Sequence, residues 1–179
     1  PGSHRIQYTH ADSTELTMLP NPRITNLLIL IACITAMIIV YYLDGYLGLE
    51  PCPLCMTQRV FVVGCGGLAI LAILHNPAKI GIRVYAALSA LSAAVGGGVA
   101  IRHIWLQNLP EDQVPACGPS LEYMLDTLPL SETFKLVMMG DGNCADVQWT
   151  FVGLSIPEQA LVLFAGLLVV NIWQLLRKG

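Results

Sequence analysis

The residues of this chain most able to do chemistry are its six cysteines, and their surroundings divide them into two groups. Cys33 and Cys65 lie inside long apolar runs, where a cysteine acts as a small hydrophobic residue, so we expect both to be packing residues. The other four lie between those runs or at their edges: Cys52, Cys55, Cys117 and Cys144. Four thiols that face an oxidising compartment could form two disulfides.

Cys52-Pro-Leu-Cys55 is a CxxC motif at the point where a long apolar run begins. If that run is a helix, its N-terminal dipole favours a thiolate, the form of cysteine that attacks disulfides. The motif therefore predicts a redox-active pair. Half of a zinc site is a second interpretation, although a second CxxC or a close pair of histidines is missing. A purely structural disulfide is a third, because CxxC spacing alone does not show that the bond is exchanged.

Arg59 follows Cys55 by four residues, so on a helix the two side chains share a face about 6 Å apart. A charge inside an apolar run is costly, about 2.5 to 3.5 kcal/mol at the centre of a bilayer. We expect a compensating group, either the Cys55 thiolate or a carbonyl oxygen of a membrane-dissolved ligand such as a quinone. The alternative is that Arg59 reaches lipid phosphates at the membrane surface.

Cys117 is flanked by proline and glycine, and Cys144 lies in the turn-rich stretch Asp141 to Asp146. Both are expected on exposed, mobile loop. If bonded to each other they would close a loop of 28 residues, which the chain-entropy relation values at about 3.6 kcal/mol. A purely structural disulfide between Cys117 and Cys144 is therefore a second interpretation. A calcium site is disfavoured because most of an EF-hand loop is missing.

His103 is expected just past the third apolar run, at the same membrane interface as the CxxC motif. It could donate a proton to a reduced carbonyl ligand, or it could be an interfacial histidine held in a hydrogen bond. The residue type alone favours neither.

Helices that cross a membrane must position these residues. The chain is 55% apolar and only 12% charged, against about 25% charged residues in soluble domains. Four runs of membrane-spanning length predict an all-α four-helix membrane bundle, with helices at about 24–43, 54–74, 82–102 and 155–176. Ser155 and Glu158 are expected to cap the fourth helix. The net charge of −3 excludes a main function in binding DNA or RNA.

Charged residues orient this bundle. The basic residues that flank the helices fall at the start of helix 1, between helices 2 and 3 and at the C-terminus: Arg23, Lys79, Arg83, Arg177 and Lys178. By the positive-inside rule that side, with both termini, is cytoplasmic. Loops 44–53 and 102–153 are then periplasmic, in a bacterial inner membrane, and the longer one carries two basic and seven acidic residues.

The apolar spacing within the long loop predicts short amphipathic helices, which either lie on the membrane surface or pack over the bundle. Residues 21–179 are expected to form one membrane domain, and residues 1–20 a polar tail or cloning remnant.

Taken together, the motif from Pro51 to Arg59 at the head of the second helix, the long acidic loop with two cysteines and the stretch Cys144 to Trp149 before the fourth helix resemble the DsbB family. The resemblance implies oxidation of the periplasmic thioredoxin-fold dithiol oxidase DsbA, with the electrons passed to ubiquinone or menaquinone. It implies no metal.

The resemblance also assigns roles to residues. Cys117 and Cys144 match the pair that exchanges with the partner protein, and Cys52 and Cys55 match the pair that reduces the quinone. In addition, Arg59 matches the quinone-site arginine, and His103 matches the histidine after helix 3. The alternative from a different class is a tetraspan structural or transport protein whose disulfides only hold the loop.

Overall fold

The computed structural model describes residues 21–177 and is built on four long helices. The elements in chain order are α1 (Pro22–Leu47), α2 (Pro53–His75), α3 (Lys79–Gln107), a 3₁₀ turn (Glu111–Gln113), α4 (Leu121–Thr127), α5 (Leu130–Met139), α6 (Gly142–Ala145), β1 (Thr150–Phe151), β2 (Leu154–Ser155) and α7 (Ile156–Leu176). Helices α1, α2, α3 and α7 are long and apolar enough to cross a membrane, which confirms the predicted all-α four-helix membrane class. The expected tail at residues 1–20 lies outside the described residues.

Proline and a side-chain cap mark the start of the membrane helices α1, α2 and α7. Proline suits the first turn because its missing N–H would have no partner there. In α2 the cap is Cys52, whose sulfur accepts a hydrogen bond from the Cys55 backbone N–H at 3.3 Å. In α7 the predicted capping box is confirmed, with Glu158 accepting from the Ser155 N–H at 2.6 Å.

Two membrane helices extend further than their apolar runs predicted. Helix α1 continues to Leu47 and α3 continues to Gln107. The apolar run marks only the part of a helix that lies in lipid, whereas the helical backbone hydrogen bonds continue beyond that part. With 29 residues, α3 is about 44 Å long, longer than the roughly 30 Å hydrocarbon core. Its last turns therefore rise to the level of the CxxC motif.

The bundle core lies where α3 packs between α2 and α7. Cys33 and Cys65 are both buried in this core, which confirms their predicted role in packing. Gly96 lies under the Phe164 ring so closely that a Cβ there would overlap it. As expected for small residues in membranes, the glycine allows the two helices to approach each other.

Residues 108–155 cover one end of the bundle, and we refer to this segment as the cap. The amphipathic helices predicted in the long loop are present as α4 and α5. Each contributes a buried apolar side chain, Met124 and Val137, to a cluster with Leu54 and Leu106. The cap thus packs over the bundle, which was one of the two predicted arrangements, and it brings Cys144 into the same cluster.

Candidate active site

The CxxC sulfurs lie together at the N-terminus of α2. Cys52 Sγ and Cys55 Sγ are 3.1 Å apart, a separation set by the first helical turn. No disulfide joins them in the structure, and the other four cysteines are likewise free. Cys52 is buried and Cys55 is partly buried, so the pair faces the interior of the protein at the edge of the membrane-spanning region.

His103 lies against both of these sulfurs. Its Nε2 is 3.7 Å from Cys52 Sγ and its Nδ1 is 4.0 Å from Cys55 Sγ. The expectation that it lies past the third helix is wrong, because α3 continues to Gln107 and holds the imidazole in a buried position.

Gln58 is a neighbour of His103 that sequence reasoning missed. Its side-chain nitrogen lies 3.2 Å from His103 Nδ1, and both side chains are buried. When this amide donates to Nδ1, the neutral ring carries its proton on Nε2, on the side of Cys52. The available signal was a glutamine within an apolar run, one helical turn after Cys55.

Arg59 is paired with Asp44, which sequence reasoning also missed. The two guanidinium nitrogens donate to the two carboxylate oxygens at 2.6 and 3.0 Å, and the Tyr41 ring lies 5.7 Å from the guanidinium carbon. The compensating charge within the protein is therefore a carboxylate on α1, which was neither of the two expected groups, the Cys55 thiolate and a ligand carbonyl oxygen. Asp44 could have been suspected as the one acidic residue between positions 21 and 49.

Cys144 is buried beside Cys52, which contradicts its predicted position on exposed loop. The Asp141 carboxylate caps α6 by accepting from the Cys144 backbone N–H at 3.1 Å, and this short helix turns the sulfur inward. The Cys52 side chain is within hydrogen-bonding reach of Cys144, and this interaction lowers the pKa of Cys144 and raises the pKa of Cys52. The cap and the CxxC motif thereby join into one cluster of sulfur atoms.

Cys117 is exposed, as predicted. It lies next to the start of α6, since a Cβ added to Gly142 would come within 3.0 Å of Cys117 Sγ. The Gly142 N–H donates to the carbonyl of Ala116 at 3.3 Å, so the two cysteine-bearing segments of the cap are held together. One cysteine of the cap thus faces outward while the other faces the CxxC motif.

An apolar cavity of about 380 Å³ lies between α1, α2 and α7, below this cluster. Its walls include Met37, Val62 and Leu163, whereas Gln58 and Arg59 line it together with Cys55. The cavity therefore offers an apolar body to a ligand and groups those polar side chains beside a thiol.

Together these features describe a path for disulfide exchange. An exposed thiol, a buried thiol and a CxxC pair follow one another from the surface of the cap to the cavity. Exchange between such groups proceeds by attack of a thiolate on a disulfide sulfur, and it needs the sulfurs to come into contact. The predicted site residues Cys52, Cys55, Cys144 and His103 are brought together, Arg59 lies on the cavity side, and Cys117 is apart on the surface.

Comparison with known proteins is consistent with this chemistry. The family model for disulfide bond formation protein DsbB matches residues 22–174. Disulfide bond formation protein B of Saccharophagus degradans is 52% identical over 165 residues, which cover 92% of this chain and 99% of the relative. The proteins of the same name from Stutzerimonas stutzeri and Acinetobacter baylyi are 47% and 48% identical, over 89% and 87% of this chain and 98% and 92% of their own lengths.

Proposed function

Since this chain belongs to the DsbB family of disulfide-generating oxidoreductases, we propose that it reoxidises a periplasmic DsbA-like thioredoxin-fold protein and passes the electrons to a membrane quinone. The observation that carries the proposal is the contact between Cys144 of the cap and Cys52 of the CxxC motif. It connects the two cysteines of the cap, Cys117 and Cys144, to the CxxC pair beside a membrane cavity. A tetraspan protein with purely structural disulfides would need no such connection.

The first stage takes place at the exposed Cys117. A thiolate of the partner attacks Cys117 in a Cys117–Cys144 disulfide, which forms a mixed disulfide and releases the Cys144 thiolate. The second partner thiol then attacks the mixed disulfide, so that the partner leaves with a disulfide and Cys117 is left as a thiol. The exposure of Cys117 supports this role, since a protein partner must reach the sulfur it attacks.

The second stage moves the two electrons inward. The Cys144 thiolate attacks Cys52 of the Cys52–Cys55 disulfide, and Cys55 leaves as a thiolate. Cys117 then attacks Cys144, which restores the Cys117–Cys144 disulfide and leaves Cys52 and Cys55 reduced. Cys52 has no thiol proton to donate while it is in the disulfide. Backbone hydrogen bonds at Asp141 and Leu54 also lower the pKa of Cys144, and these support its role as the attacking thiolate in this step.

His103 and Gln58 serve the reduced CxxC pair. His103 lies against both sulfurs, so a proton taken up by its ring would leave a positive charge beside the Cys55 thiolate. Gln58 orients that ring through the 3.2 Å contact with Nδ1. Of the two roles that the sequence left open for His103, this arrangement favours handling of protons over a purely interfacial hydrogen bond.

The residues around the cavity fit a quinone. A quinone supplies an acceptor for two electrons and two protons, and its ring carries two carbonyl oxygens on a largely apolar body. The apolar walls of the cavity suit that body, and Gln58 and Arg59 offer N–H donors for a carbonyl beside Cys55. Asp44 engages two of the five guanidinium N–H groups. The ion pair therefore holds the guanidinium in one orientation and leaves its other N–H groups available to a ligand.

The same proposal sets the orientation in the bacterial inner membrane. The cap must face the periplasm, where DsbA-like partners and an oxidising environment are found. Both termini then lie in the cytoplasm, which agrees with the basic residues Lys79 and Arg83 between α2 and α3.

The proposal is tested by mixing the purified protein with a reduced thioredoxin-fold dithiol and a short-chain ubiquinone, and following the absorbance of the quinone. We expect Cys144→Ser to abolish turnover while Cys65→Ser, which alters a buried packing thiol, retains it. The Cys144→Ser variant should still form one quinol per protein when its reduced CxxC pair is mixed with the quinone. Normal oxidation of the partner by Cys144→Ser would show that the electrons take another path.

A further inference from the structure

We propose that the reduced protein binds one Zn²⁺ ion between Cys52, Cys55, Cys144 and His103. The ligand atoms of Cys52, Cys55 and His103 all lie within 4.8 Å of one another, and Cys144 adjoins Cys52. Thiolate and imidazole are the ligands that zinc prefers, and three sulfurs with one nitrogen form a common structural zinc set. The sequence lacked a second ligand pair near the CxxC motif, and the fold supplies one from α3 and α6.

The distances suit a tetrahedral ion. Zinc–sulfur bonds of about 2.3 Å and zinc–nitrogen bonds of about 2.0 Å place neighbouring ligand atoms roughly 3.5 to 3.8 Å apart. In the structure Cys52 Sγ is 3.1 Å from Cys55 Sγ and 3.7 Å from His103 Nε2. Movement of one sulfur by less than about 1 Å would bring these atoms to the spacing that the ion requires.

Cys144 completes the set. Its sulfur is close enough to Cys52 for a thiol hydrogen bond, and its backbone carbonyl is within hydrogen-bonding reach of His103. Cys144 lies outside the group of three whose ligand atoms are all within 4.8 Å of one another, so its sulfur would have to move toward the ion to become the fourth ligand. Because Cys144 and His103 are both buried, water has little access to a fourth coordination position, as in structural zinc sites.

Gln58 supplies the outer support that a ligating histidine needs. With zinc on Nε2, Nδ1 carries the proton, and the Gln58 carboxamide 3.2 Å away can turn its oxygen to accept it. A hydrogen bond of this kind fixes the ring and raises its basicity. Such outer partners typically change metal affinity by about 10- to 100-fold.

Binding would release the protons that the three cysteines still hold and would involve no oxidation. The ion would hold both CxxC sulfurs as zinc thiolates, so neither could enter a disulfide until the metal left. Zinc would therefore inhibit the reduced form and not the form in which the cysteines are disulfides. This inference concerns the thiol cluster itself and does not depend on which molecule accepts the electrons.

The test uses the full chain in detergent, reduced with a phosphine under argon, and titrated with Co²⁺ as a spectroscopic substitute for Zn²⁺. We expect thiolate-to-cobalt charge-transfer bands and tetrahedral d–d bands that saturate at one equivalent and are lost when Zn²⁺ is added. Cys144→Ala and His103→Gln should change the spectrum, whereas Cys117→Ala should not. Bands that are absent, or that are unchanged in the first two variants, would overturn the site.

Two further measurements cover variants that fail to fold. In the wild-type protein, Zn²⁺ should slow alkylation of Cys52, Cys55 and Cys144, but not of Cys117, as read by mass spectrometry of peptides. Gln58→Leu should weaken zinc binding about 10- to 100-fold while Gln58→Glu, which keeps an acceptor, restores it. Equal alkylation with and without zinc would exclude the site even if the proposed electron transfer to quinone is correct.

Discussion

At the scale of single residues, Cys144 and Cys52 form a pair whose properties neither would have alone. The two thiols share a hydrogen bond in a buried cluster, and the Cys52 proton stabilises a negative charge on Cys144. This stabilisation belongs to the reduced protein, because Cys52 carries no proton while it is in the Cys52–Cys55 disulfide. In the reduced protein it depends on a donor at position 52, not on sulfur as such.

This pairing predicts the titration of Cys144. In a variant with Cys33, Cys55, Cys65 and Cys117 replaced by alanine, the Cys144 thiolate should persist as the pH falls below the ordinary range of a thiol. A further Cys52→Ala change removes the donor and should raise the pKa of Cys144, whereas Cys52→Ser retains a hydroxyl donor and should raise it less. Thiolate absorbance in the ultraviolet as a function of pH measures the midpoint. Identical midpoints with alanine and serine would show that the hydrogen bond is not the cause.

The ion pair between Arg59 and Asp44 allows the role of the arginine to be separated from its effect on stability. Arg59→Gln should raise the Michaelis constant for quinone at least about tenfold, because a fixed charge beside the cavity is lost. It should also destabilise the protein, since the partly buried Asp44 carboxylate, with 23% of its side chain exposed, loses its partner. Adding Asp44→Asn should recover stability but not the Michaelis constant.

Steady-state kinetics against quinone concentration, combined with thermal unfolding in detergent, measure both effects. Arg59→Lys is the matched control for charge without the fork geometry. Wild-type quinone kinetics in the double variant would return Arg59 to the role of a purely structural or lipid-facing residue.

The chemistry of these residues could be predicted from the sequence better than their contacts. The CxxC spacing and the arginine one turn later are local features, so the helical repeat places them on one face. The roles of Asp44 and Gln58 were not predicted, because each contacts a residue on another helix and no local sequence pattern shows such a contact. Cys144 was misplaced for a related reason: its turn-rich neighbours indicate a loop, but the Asp141 cap folds them into a short helix that faces inward.

At the scale of the elements, the contact between α3 and α7 is the most extensive between the membrane helices. Gly96 and Gly97 both face Phe164, whereas nothing lies within 4 Å of a Cβ built on Gly98. The triple glycine is thus two positions with a packing role and one without, a distinction that requires knowledge of the neighbouring helix.

These glycines give a matched pair of variants. Gly96→Ala should destabilise the protein by about 1 to 3 kcal/mol, because the added methyl group overlaps the Phe164 ring and forces the helices apart. Gly98→Ala should be neutral or slightly stabilising, since alanine favours a helix and the space is open. Unfolding in mixed detergent micelles compares the two. Equal effects would show that helix propensity, and not helix spacing, controls the response.

The length of α3 has a chemical role that hydropathy could not show. The apolar run indicates where the helix lies in lipid, but His103 is brought to the CxxC sulfurs by turns that extend beyond that run. The end of a membrane helix depends on capping and on what packs against it. Here the C-terminal end of α3 is fixed by the C-cap residue Asn108 and by the buried side chain of Leu106.

At the scale of the whole molecule, the proposed orientation gives a prediction for intact cells. Cys117 should react with a membrane-impermeant maleimide from the periplasmic side when its disulfide has been reduced. A cysteine introduced by Lys79→Cys, in a variant without the native cysteines, should react only after the inner membrane is made permeable. Labelling at both positions in intact spheroplasts, or the reverse pattern, would contradict the assignment of the cap to the periplasm.

The exposure of Cys117 and the burial of Cys52 and Cys144 determine which reductants can donate electrons to the protein. A small soluble reductant such as glutathione meets a single sulfur on the outside of the cap, while the pair that faces the membrane is insulated from it. Under the proposed function, electrons from the aqueous side would then enter through Cys117 alone. Selectivity for a protein donor would thus depend on the shielding of the buried cysteines as much as on recognition of the donor. A mutation that loosens the cap would let any thiol in solution reduce these cysteines and, through them, the quinone.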